Sequence, residues 1–209
     1  MSAKDFERIY ILGNGGFAGE LAAYLKKLFP DTPVSKVTPN GEGDTLSAAE
    51  YEAEIKMYGE RAVTYLGSGK TFVKARMMEE LRGRLGPPIV LNASVWADSI
   101  GDGTVVEDSA VVGVGARLGR SVLVNKCACV GHHAAVGDLC VVSPQVALSG
   151  FCIVEEGVYI GAGAMIRERL RIGRNSTIGM GAIVTRDVPA DSLVIGVNRV
   201  SPQKPDREW

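Results

Sequence analysis

Aromatic side chains make up only 6% of this 209-residue chain, and histidine occurs just twice. With so few rings, a core cannot rest on Phe and Trp. The 46% apolar content and the 26 glycines imply small aliphatic side chains packed close to backbone. Net charge is −1 and no long basic run occurs, which argues against a nucleic-acid or membrane partner. No stretch approaches the ~18 apolar residues of a membrane span. The opening MSAKDFERIYILGNGG holds too short an apolar run for a signal peptide, so a cytoplasmic protein is expected. Cys127, Cys129, Cys140 and Cys152 lack zinc-knuckle spacing and are expected to be reduced and buried as small hydrophobes.

What is present is a repeat. From Ile100 to Val184, every sixth residue is aliphatic, fifteen times without a slip. The residue after it is Gly in eight of the fifteen cases, among them Gly101, Gly113, Gly131 and Gly161. Two residues before it the side chain is small or apolar, as at Ala110, Ala128, Ala134, Cys140 and Ala164. A period of six fits neither a helix nor simple strand alternation. It fits a parallel β-helix, in which each hexad supplies one short strand and one turn and three hexads close a triangular coil. The aliphatic and the small residue point inward, and the glycine is expected to serve the tight corner. Fifteen hexads give five coils, roughly 24 Å at a ~4.8 Å spacing.

The first ninety residues read differently. Arg8–Leu12 and Val34–Val37 are expected strands, with a helix over 20–29 between them. Gly13-Asn14-Gly15-Gly16 links the first strand to that helix, so its backbone N–H groups can meet a phosphate. No acidic residue follows the second strand where a dinucleotide site needs one, since Thr38, Pro39 and Asn40 stand there. A third strand, 62–66, runs into Gly67-Ser68-Gly69-Lys70-Thr71. This ends like a P-loop, but Thr64 replaces its first glycine. A helix is expected over 70–82, and Gly86-Pro87-Pro88 breaks the chain. The expected order is a small Rossmann-like βαβαβ domain over 1–87, a β-helix over 88–197 and a tail over 198–209.

The hexads, the closing IGRNSTIGMGAIVTRDVP, the two glycine turns and His132 together resemble the hexapeptide-repeat acyltransferases, in particular the bacterial sugar O- and N-acyltransferases. The resemblance covers nearly the whole chain. It implies an α/β domain followed by a left-handed β-helix, and a homotrimer with active sites between subunits. It also implies acetyl-CoA as co-substrate and a nucleotide-linked amino sugar of the 4-amino-4,6-dideoxy type as acceptor. His132 matches the family's general base. An imidazole with an ordinary pKa of ~6.5 suits proton removal from an attacking amine. Gly150 matches a glycine whose N–H meets the thioester carbonyl, and Ala162 and Met180 match positions lining the coenzyme A arm. Gly13, Asn14, Gly15, Gly16, Gly67, Ser68 and Gly69 would bind the sugar nucleotide.

The sequence departs from the family pattern at His133, where relatives carry Asp or Glu beside the base; His133 or Asp138 could stand in. Val141 and Thr38-Pro39 are further departures, near the coenzyme and the nucleotide. Six arginines between 160 and 200 oppose three carboxylates, which suits coenzyme phosphates or a solvated face. Two alternatives remain open at this stage: O-acetylation of a sialic-acid-like sugar, or a non-catalytic β-helix binding protein. Zinc hydration chemistry on three histidines is disfavoured by two adjacent ones, and no metal is expected.

Overall fold

The computed structural model describes residues 6–202, in two compact units that divide between Gly86 and Pro87. In the first unit the elements run β1 (Arg8–Leu12), α1 (Gly16–Leu28), β2 (Val34–Val37), β3 (Thr45–Leu46), α2 (Ala48–Tyr58), β4 (Ala62–Leu66), α3 (Thr71–Glu80) and β5 (Arg84–Leu85). The sheet is parallel, in the order β3-β2-β1-β4-β5. Central β1 is covered on both faces, so Ile9, Tyr10 and Ile11 are all fully buried. α1 starts at Gly16, straight out of the glycine turn and ahead of the expected start, and carries Lys26 and Lys27 in its last turn, where they suit the helix's negative end. Sequence reading missed α2 altogether. Its signal was there: Ser47 and Glu50 form a reciprocal capping box.

The second unit is a parallel β-helix with three faces, carrying six, five and seven parallel strands. Between Ser99–Ile100 and Arg171–Ile172 each strand pairs with the one three hexads further along the chain. Val106, Val112, Leu118 and their successors fill the prism, with Ala110, Ala116, Ala128, Ala134, Cys140 and Ala164 beside them at 0–1% exposure. The expected five coils are too few, because the helix extends beyond the six-residue register at both ends. Ile89 pairs with Val105, and Thr177 with Leu193, so each end coil is shorter than three full hexads. Arg199–Pro202, in the expected tail, adds an antiparallel strand on Ser192–Ile195; residues 203–209 lie outside the described residues.

The glycines after the inward aliphatics have a different job from the one expected. The left-handed turn conformation falls two residues later. From Gly103 to Gly181, every sixth residue has φ between +52° and +73°, whether glycine or not. The N–H of that residue donates to the carbonyl of the coil before, as in His133 to Val114 (2.9 Å) and Phe151 to His132 (2.9 Å). Ladder bonding of this kind offsets the cost of a left-handed non-glycine, about 1–2 kcal/mol. Glycine right after the aliphatic is instead required by close approach of the next coil. A Cβ on Gly131 would lie 2.5 Å from Gly150 N, and one on Gly161 2.6 Å from Met180 N.

The cysteine expectation holds in part. All four are reduced, but only Cys140 and Cys152 are buried; Cys127 and Cys129 are exposed. Burial pushes the Cys152 thiol up from its ordinary pKa.

Candidate functional site

His132 and His133 occupy the turn between Cys129–Val130 and Ala135–Val136, on an edge of the prism, and both are exposed. Neither ring enters the core. Their Nδ1 atoms face each other at 3.2 Å, with the ring planes 85° apart. One proton fits between the two nitrogens, so in a neutral pair one ring donates and the other accepts. When His132 donates, its Nε2 carries a free lone pair. That nitrogen lies against Gly150, one coil on, where a Cβ would be 2.7 Å away. Gly150 is buried, and its N–H has no protein acceptor among the described residues.

Asp138 is not the partner of His132. Its carboxylate accepts from Arg120 N–H (2.8 Å) and pairs with the Arg120 guanidinium at 2.7–2.8 Å, on a different edge. Two neighbours of the histidines escaped the sequence reading. Phe151 stacks on His133 (4.9 Å, 10°) and stands edge-on to His132 (4.9 Å, 89°). The Arg169 guanidinium lies 4.5 Å from the Phe151 ring centre. Stepping by one full coil from His133 lands on Phe151 and a second step lands on Arg169, so the coil period held the signal. Gly115, one coil earlier, makes room: a Cβ there would lie 2.7 Å from His133 Cδ2.

Ala162 and Met180 stand one coil apart on another edge, after Tyr159–Ile160 and Thr177–Ile178. Met180 is 82% exposed, and neither residue's N–H has an acceptor among the described residues. A single chain therefore does not bring these two positions to His132. Of the arginines, Arg171 and Arg174 are engaged by Glu155, whose carboxyl is held below its ordinary range first by the Arg174 N–H and then by Arg171. Arg186 donates to the Asn198 carbonyl.

The first unit has a cleft of about 710 Å³ at the C-terminal ends of β1 and β2. Gly13 and Asn14 line it with Thr38, Pro39, Tyr51, Glu52, Arg76, Met77 and Arg82. Tyr51 is fixed by donating to the Arg82 carbonyl (2.5 Å), and burial raises its pKa. The other expected glycines do not line the cleft. Gly15 caps α1 and Gly16 opens it, with open space beside both. Gly67 is a packing glycine, since a Cβ would meet Ile11 at 2.6 Å and Ala18 at 2.7 Å. Ser68 accepts from Lys70 N–H (3.0 Å), and Gly69 has open space beside it. The α3 residues Arg76 and Met77 were not anticipated. No group of three His, Cys, Asp or Glu among the described residues could hold a metal, and no helix there is long and apolar enough to cross a membrane.

Fold and repeat together define a small parallel α/β unit joined to a left-handed hexapeptide β-helix, the architecture of the sugar acyltransferases that the sequence resembles. Residues 151–186 match the family model described as bacterial transferase hexapeptide (six repeats). Among solved structures the chain is similar to a mutant of perosamine N-acetyltransferase from Caulobacter crescentus in complex with CoA and GDP-perosamine. That match has 21% identity and a TM-score of 0.80, covering 90% of this chain and 93% of the other. It is also similar to the acetyltransferase domain of PglB from Neisseria gonorrhoeae FA1090 (25% identity, TM-score 0.79, 94% and 99% covered). A third is WeeI from Acinetobacter baumannii AYE (22% identity, TM-score 0.75, 92% and 98% covered). No curated protein matches by sequence.

Proposed function

We propose that the chain is an acetyl-CoA-dependent N-acetyltransferase acting on the amino group of a nucleotide-linked 4-amino-4,6-dideoxy sugar, with His132 as general base. The observation that carries this reading is the bonded histidine pair. His132 can donate its Nδ1–H to His133 in a hydrogen bond and keep Nε2 bare beside Gly150. The amine attacks the thioester carbon and passes a proton to Nε2; the C–S bond then breaks, and the proton leaves on the coenzyme thiol. The oxyanion is received by the Gly150 N–H. The cleft of the α/β unit is of small-molecule size, and Arg76 and Arg82 suit a nucleotide's diphosphate.

A homotrimer completes the site. His132 and the Ala162–Met180 pair lie on different edges, so a neighbouring copy must supply the second edge. An exposed ladder of Val111, Cys129, Ala147, Met165 and Ile183, in register on one face, supports such packing. The relatives' complexes with CoA and with GDP-perosamine support the choice of substrates. The test is thiol release from acetyl-CoA against a panel of nucleotide-linked amino sugars and sialic-acid hydroxyl acceptors. Release driven by the amines alone is expected. Release driven only by hydroxyls would replace the reading with O-acetylation, and binding without release would make the chain a non-catalytic binder.

A further inference from the structure

The histidine pair has two neutral arrangements, and only one leaves His132 able to take a proton. If His133 donated to His132, the proton on His132 would sit on Nε2, the nitrogen that must be bare. Something must hold both rings so that Nδ1 faces Nδ1. Both rings are exposed, and the chain has no carboxylate at position 133 to do this.

Phe151 touches both rings in different geometries. It is perpendicular to His132 (89°) and parallel to His133 (10°), each at 4.9 Å, which keeps the imidazoles crossed at 85°. Aromatic pairs in these two arrangements each contribute beyond the area they bury. A flip of either imidazole would break the Nδ1–Nδ1 contact. On its far face Phe151 carries the Arg169 guanidinium at 4.5 Å. That cation pins the phenyl ring from outside. Opposite, Gly115 leaves the space that His133 fills.

We propose that Phe151 is a positioning residue that holds His133 Nδ1 against His132 Nδ1, taking over the orienting task of a carboxylate. This rests on the reading of His132 as the general base. The proton balance is unchanged: the amine proton goes to His132 Nε2 and then to the thiolate sulfur, while the Nδ1 proton stays between the two rings.

The experiment uses the full chain with 15N-labelled histidine, where the two imidazoles are the only ones present. Long-range proton–nitrogen correlation reads which ring nitrogens are protonated. In the wild type, one protonated and one bare Nδ1 are expected. In Phe151→Leu, both rings should move towards the Nε2–H form of free imidazole. kcat should fall by about tenfold with the acetyl-CoA KM changed less than about twofold, the scale of a misplaced catalytic group. Phe151→Tyr should restore both readouts. An unchanged spectrum in Phe151→Leu overturns the proposal, as does failure of a folded Phe151→Tyr to restore the pair. A wild type that transfers no acetyl group overturns the transferase reading instead, and the spectra still decide whether Phe151 holds the pair.

Discussion

The edge carrying His132 and the edge carrying Ala162 are built from the same turn. Each turns through a left-handed residue at the same hexad position, whose N–H bonds to the carbonyl of the coil before. What differs is how the space beside the glycines is used. On the first edge, Gly115 and Gly150 leave room that the two imidazoles fill, at would-be Cβ distances of 2.7 Å. On the second edge, Gly163 and Gly181 have nothing within 4 Å. One backbone pattern thus yields both a furnished corner and an open one. The side chains absent from a corner decide which it becomes.

Substitutions can break this contrast. The largest effect is expected for His132→Ala, which should lower turnover by at least about two orders of magnitude, the scale of a lost general base. Its thermal midpoint should stay near wild type, because the ring is exposed; thiol release and a melting curve check both. Gly150→Ala comes next. Its Cβ would displace His132 Nε2, so turnover should fall about 10- to 100-fold in a folded chain, by the cost of misplacing a catalytic group. Steady-state kinetics with far-UV dichroism would read this, and an unaffected kcat would mean Nε2 does not act at Gly150.

His133→Ala should cost about tenfold in kcat and little in KM, since an orienting hydrogen bond is lost and not the base itself. A matched pair of glycines sharpens the comparison most finely. Gly115→Ala and Gly163→Ala impose similar backbone strain, at φ +73° and +68°. Each should cost about 1–2 kcal/mol in denaturant unfolding. Gly115→Ala should also lower kcat, because there the new Cβ meets His133.

Much of this was legible beforehand, for a physical reason. A coil that closes after every third hexad must put an equivalent side chain inside at each hexad, so Val130, Leu148 and Ile166 declared themselves, and His132 fell at a corner by counting. The end coils were not legible, because their shorter lengths break the count. Phe151 was missed because a step of six visits all three edges in turn and hides which residues share one. Asp138 looked available only because its sequence neighbours say nothing of Arg120, which claims it from the coil before. In the α/β unit, β1, β2 and β4 were read from short apolar runs, whereas α2 has only Tyr51 buried and gave little apolar periodicity.

By itself the sequence determined the prism, its inward ladder and the corner on which the histidines stand, because a strict period leaves the chain one way to close. Tertiary structure alone decided which groups meet across coils: His132 with Gly150, His133 with Phe151, Asp138 with Arg120. Those pairs are set by the stacking of successive coils and by the space that individual glycines leave open.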